Sequence, residues 1–317
     1  MPVHVPSEEE VLGYMESLSN WGRWGPDDQM GTLNHITTEK RIAASRLVRE
    51  GVTVTCSRPI VSETAPDVPF QFQRFMVDSG EGRDTDPPEI RRTRYGAGEY
   101  IGMVFHGHTI THLDSLAHYS WRGKMYNGVP ANMVTARHGA RSHAIDVARD
   151  GIVTRGVLLD IARLKGKRWL DPDEPVFPED LDAAEKDAGL SVEKGDLLLV
   201  RTGNYRRRLE EGPFDPNVDG GTACHVACIP WFHRREIAML GTDTSNDLRP
   251  DTTYDGIMSP LHTLSLVFLG MCLIDNANLD ELARACEERG RWEFMLCMGP
   301  LRLVNVTGTP VNPIAVF

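Results

Sequence analysis

Two stretches of this chain, Gly156–Ile161 and Asp196–Arg201, run apolar with hardly a break, and Pro178–Ala188 between them has helical spacing closed by Gly189. A strand with one wet face alternates polar and apolar residues; a strand without that alternation is covered on both faces, as in the middle of a sheet. Proline in the first turn and glycine just past the last mark where the helix starts and stops. Strand, helix and strand in that order predict an α/β fold. The alternation continues with a helix from Ile229 or Pro230 to Met239, a strand over Leu240–Asp243, a helix over 263–269, a strand over Met271–Ile274, a helix over 279–289 and a strand pair near 293–305. Upstream, Ser7 and Glu10 make a capping-box pattern for a helix through Val11 and Met15, Thr37 or Thr38 caps a second helix, and Val52–Thr55 reads as a strand. With 317 residues and no repeat or compositional break, the chain is read as a single domain over 1–317.

The densest chemistry lies in Gly102–Asn127, which holds His106, His108, His112, Asp114 and His118. All of these positions are even, so an extended chain beginning at Tyr100 would aim them at one face and Ile101, Met103 and Phe105 at the other. Imidazole nitrogen together with carboxylate oxygen suits a borderline divalent metal such as zinc or manganese. Polar-strand histidines satisfied by backbone partners would explain one such residue better than a whole row on one side.

The spacing H-x-x-x-H-x-D-x-x-x-H of His108, His112, Asp114 and His118 resembles the signature of the cyclase family of metal-dependent hydrolases, which includes bacterial kynurenine formamidases and isatin hydrolases. Thr111 is kept, whereas Ile110 stands for the family's glycine and Leu116 for its proline, as in a divergent branch. RWGPDDQMGTLNHIT at 23–37, YNG at 126–128, GTDTSND at 241–247 and VTGTPVNPIAVF at 306–317 extend the likeness over nearly the whole chain. The resemblance implies the swivelling β/β/α cyclase-like fold, with a mixed central sheet or barrel and surrounding helices. It also implies a divalent metal, Zn or Mn, and hydrolysis of a C–N bond in an amide, N-formyl, imide or lactam group by metal-bound hydroxide.

By the same likeness His108, His112 and Asp114 are the metal ligands, His106 is the alternative first ligand, and His118 stands at the position that transfers protons. His262 and Asp275 fall where two-metal members supply a further histidine and an acid, and are read as a second site or as orienting groups, with one ion preferred. Residues 1–50 are taken as an N-terminal helical segment contributing to the pocket wall, which makes Trp24 and Asn34 candidate substrate contacts. Phe72 in the proline-broken stretch 59–98, read as a lid or binding loop, Tyr126 near His118, Thr202 at a strand end and His225 before a helix complete that set. Aromatic residues in these segments point to a small aromatic or heterocyclic substrate. Metal-assisted cyclisation or dehydration, and metal binding without turnover, are the competing readings. A structural site closed by four ligands would need no base, which counts against the last.

A net charge of −11 argues against a phosphate-binding face and so against nucleic acid. No run approaches the roughly 18 apolar residues of a membrane span. The first residues lack a secretory pattern, and a cytoplasmic location is expected. The six cysteines, without a C-x-x-C pair, are expected as free thiols. The apolar ending VNPIAVF, with the family likeness, predicts a homo-oligomer, most simply a twofold dimer.

Overall fold

The computed structural model describes residues 3–89, 96–251 and 253–317. Its elements are α1 (Glu8–Ser17), α2 (Thr38–Ser45), β1 (Thr53–Thr55), β2 (Gln73–Asp78), β3 (Gly98–Gly102), β4 (His112–Asp114), β5 (Val134–Thr135), β6 (Gly139–Ala140), β7 (Ile152–Asp160), α3 (Ile161–Leu164), α4 (Pro178–Ala188), β8 (Leu197–Arg201), α5 (Asn204–Glu211), α6 (Pro216–Asp219), α7 (Ile229–Arg235), β9 (Met239–Thr242), α8 (Pro260–His262), β10 (Leu273–Asp275), α9 (Asp280–Arg289), β11 (Glu293–Met298), β12 (Gly308–Pro310) and β13 (Ile314–Val316). One nine-stranded sheet takes them in the order β1, β13, β11, β7, β8, β9, β10, β4, β12. Pairing is parallel from β7 through β8 and β9 to β10 and antiparallel on either side.

The uninterrupted run at 197–201 is explained by this position. β8 lies between β7 and β9, and every one of its residues is buried. Helix α4 keeps its predicted bounds, with Gly189 in the left-handed region at φ 65° supplying the C-cap. The helix that begins at Ile229 ends at Arg235, three residues short of β9, so Met239 is strand rather than helix. Residues 263–269 form a π-helical turn continuous with α8, a geometry that concentrates at functional sites.

Three expectations are corrected. The strand pair near 293–305 is β11 with β13, and VNPIAVF lies inside the sheet with Phe317 fully buried against Phe294, so this apolar terminus is not a free surface for assembly. The stretch 59–98 is not loop throughout, because β2 and β3 form a separate two-stranded ribbon; residues 90–95 of it fall outside the described residues. The long strand from Tyr100 to His118 is broken. β3 ends at Gly102, 103–111 is irregular, β4 has three residues, and the chain then turns, with the His118 amide donating to the Ser115 carbonyl at 3.0 Å. Side chains from elsewhere hold the irregular segment: Asn276 donates to the Gly107 carbonyl at 2.7 Å and Arg58 to the His108 carbonyl at 2.9 Å.

Candidate metal centre

β4 is wholly buried between β10 and β12. In its register with β10, His112 faces Asp275, and residues directly opposite in an antiparallel pair share a face. His112, Asp114 and Asp275 therefore point into one pocket. His106, from the irregular segment, brings Nδ1 to 2.9 Å from Asp114 Oδ1. His262, at the end of α8, places Nε2 3.4 Å from Asp114 Oδ2 and 3.6 Å from Asp275 Oδ2. His118 comes round on the turn after β4, stacks flat on His106 at 3.8 Å between ring centroids, and puts Nε2 3.9 Å from Asp114 Oδ2.

Three of the rings have their outward nitrogen tied. His106 Nε2 meets the Thr307 hydroxyl at 3.1 Å, His112 Nδ1 donates to the Ile110 carbonyl at 2.8 Å, and His262 Nδ1 bonds the Asp247 carboxylate. Such anchors fix the ring and leave its other nitrogen facing the pocket. At the centre, both oxygens of Asp114 are buried without a hydrogen bond, and His106 Nδ1 comes close without the alignment of one. Burial opposes ionisation of Asp114, but the surrounding rings, His118 and His112 foremost, outweigh it and hold the carboxyl well below the usual range. For His262, burial is overcome by Asp275, Asp114 and Asp247, which raise it well above the ordinary imidazole value. His118 is lowered by burial to about 4 despite Asp114, so its ring is neutral near pH 7.

A pocket that holds a proton so firmly on a buried imidazole is short of positive charge. Its donors fit a divalent cation that would supply it: two sets, His106, His112 and Asp114, and Asp114, His262 and Asp275, each have ligand atoms within 4.8 Å of one another.

The sequence profile of the family described as Putative cyclase matches residues 85–246, the segment carrying β4 and its histidines. The crystal structure of a novel cyclase is 30% identical and superposes with a TM-score of 0.86, covering 99% of this chain and 100% of its own. The chain belongs to the Putative cyclase family. Isatin hydrolase A from Labrenzia aggregata, bound to benzyl benzoate, matches at 19% identity and TM-score 0.55, over 89% of this chain and 100% of its own. An isatin hydrolase bound to the product analogue thioisatinate matches at 16% and 0.57, over 89% and 99%. At these identities the likeness is one of fold. No curated protein sequence matches the chain.

Of the residues expected in the site, His112, Asp114, His118, His262 and Asp275 come together, and His106 rather than His108 is the further ring on Asp114. His108 stands outside the cluster and lines a cleft with Arg58 and Arg249. The even-number rule needs an extended chain, and 103–111 is not extended. Tyr126 is fully buried with its hydroxyl donating to Asp28 at 3.1 Å; Thr202 is buried with its hydroxyl on Asp243 at 2.8 Å. Trp24 packs edge-on to His35 at 5.0 Å, and Asn34 donates to Asp28 at 2.8 Å. His225 is buried, stacks on Phe177 and borders a narrow cavity beside Asp247. Phe72 lines a cavity of about 200 Å³ with Arg58, Phe70 and Ile110.

Sequence reasoning gave no role to Asp247 and Asn246, which hold His262 and Asp275 respectively. The signal was a polar cluster, GTDTSND, at the end of an apolar strand. Arg58 carried no signal of its own.

Proposed function

We propose that the chain is a metal-dependent hydrolase cleaving a C–N bond, other than a peptide bond, in a small substrate. The observation that carries this reading is Asp114, a fully buried carboxylate whose oxygens accept no hydrogen bond and which sits among the rings of His106, His112, His118 and His262. His106, His112 and Asp114 hold one ion, zinc or manganese; Asp275 and His262, themselves tied to Asn246 and Asp247, orient the pocket from the β10 side. A divalent ion held there supplies Lewis acidity to a carbonyl oxygen and to water. His118 handles the proton. Its ring is neutral near pH 7 and Nε2 faces the pocket, so the ring takes a proton from the attacking water and returns it to the leaving nitrogen, while the flat stack on His106 fixes it in place.

Aryl formamides, lactams and cyclic imides are the substrate classes. The fold neighbours that are isatin hydrolases put lactams first in the panel. Metal analysis of protein purified without chelator, combined with that panel, tests the reading. Bound zinc or manganese and chelator-sensitive release of a carboxylate are expected. Protein reloaded with either metal that hydrolyses none of the three classes would overturn it.

A further inference from the structure

Beside the metal centre lies a cleft bordered by Arg58, His108, Asn204, Arg208, Arg249 and Asn276. Arg58 is only 4% exposed. Of its five N–H donors, one on Nη1 goes to the His108 carbonyl and one on Nη2 to the Asp243 carbonyl, while Nε is buried without a partner. Arg249 Nε and His108 Nδ1 are likewise buried and unpaired. Among the described residues neither Arg58 nor Arg249 has a carboxylate within 4.0 Å, whereas the buried Arg201 and the half-buried Arg208 each have two. The carboxylates that reach the cleft are committed elsewhere. Asp67 is held by Arg208 through Nε and Nη2, and Asp247 accepts from the amides of Leu261 and His262 and from the His262 ring. Burial lowers Arg58 to about 10, and the more distant Asp243 and Asp67 carboxylates offset that only in part.

A buried charge left unpaired costs several kcal/mol even after relaxation, so the arrangement is explained most simply by an anion that belongs there. The cleft, about 20 Å³, takes a group of carboxylate size and not a ring. It shares Arg58 and Arg208 with the wider cavity of about 200 Å³, whose other walls include Ile60, Phe70, Phe72 and Ile110. A narrow cationic cleft and a broad, more apolar cavity thus have two arginines as a common wall. Asp247, which holds His262, and Asn276, next to Asp275, border the cleft and join it to the metal centre.

We propose that the two cavities form a specificity site for an apolar or aromatic carboxylic acid, its carboxylate on Arg58, Arg249 and His108 and its ring or chain beside Phe70 and Phe72. The carboxylate is separate from the bond that is cleaved, and calling this acid a substrate rests on the hydrolase reading above. Guanidinium groups suit this role because their donors match both carboxylate oxygens at once.

The test is isothermal titration of the metal-loaded protein with 3-phenylpropionate, its primary amide and inorganic phosphate, alongside Arg58→Lys and Arg249→Gln. The acid should bind at least tenfold more tightly than the amide, and each variant should weaken the acid at least tenfold with metal content unchanged. Equal binding of acid and amide, binding of phosphate alone, or variants that bind the acid like the parent would overturn the proposal. Arg249→Gln, at a half-buried position, keeps the test decisive if Arg58→Lys does not fold. In a paired assay 4-formamidobenzoate should exceed its methyl ester at least tenfold in kcat/KM through a lower KM, with the advantage lost in Arg249→Gln. Hydrolysis without preference for the acid sinks this inference and leaves the hydrolase reading standing; arginine-dependent binding of the acid without hydrolysis of any amide does the reverse.

Discussion

Replacing His106 with alanine should remove the ion and replacing His108 should not, because of these two rings that of His106 alone reaches Asp114. Metal content of the two purified variants checks this, and full occupancy in His106→Ala would return the first ligand position to His108. His118 poses a different question. The turn after β4 brings it beside the pocket, not far along a strand, yet it belongs to neither of the two sets whose donors lie within 4.8 Å. His118→Asn is therefore expected to keep its metal and lose turnover by roughly a hundred- to ten-thousandfold, the usual worth of a positioned base. Loss of metal in that variant would make His118 a ligand.

Among the elements, β8 lies inside the sheet with every residue removed from water. Leu198 is fully buried there between β7 and β9, so Leu198→Ala leaves a cavity and should cost about 2–5 kcal/mol in urea unfolding, with the metal centre's ligands untouched. A change under about 1 kcal/mol would mean that the site collapses around the smaller side chain. The β2–β3 ribbon is the opposite case. It stands apart from the main sheet with Phe75, Val77 and Ile101 more than half exposed, and an isolated two-stranded ribbon is marginal in water. A second copy of the chain is expected to cover it, giving twice the 35.4 kDa chain mass in sedimentation, whereas Val77→Asp with Ile101→Asp should shift the protein toward one chain. A single-chain mass for the parent protein at micromolar concentration would refute this.

The molecule as a whole carries three buried histidines away from the metal centre, His35, His143 and His225, each lowered by burial to about 4. Unfolded, they take up protons near pH 6.5. Between that value and about 4 the unfolded chain binds more protons than the folded one, so stability is constant above pH 6.5 from this source and falls as the pH drops through the window. Thermal melts of metal-free protein should show Tm declining from pH 6.5 to 4, less steeply when His143 is replaced by Gln. A flat Tm across that range would show that these rings protonate in the folded state.

What was readable from the sequence is what local geometry controls. The double-sided burial of β8 follows from a run without alternation, the ends of α4 from Pro178 and Gly189, and the shared face of His112 and Asp114 from their spacing of two on a strand. The metal-donor chemistry was legible for the same reason. Which histidine joins that pair was not, because the choice between His106 and His108 depends on a segment with no regular period, folded by Asn276 and Arg58 from distant parts of the chain. The partnership of Asp275 with His112 comes from strand register, and the anchoring of His262 by Asp247 from a contact between the segment after β9 and α8. The place of Ile314–Val316 between β1 and β11 likewise arises only when the sheet is assembled. Spacing along a chain encodes a face; contacts between faces are set by how the whole chain closes on itself.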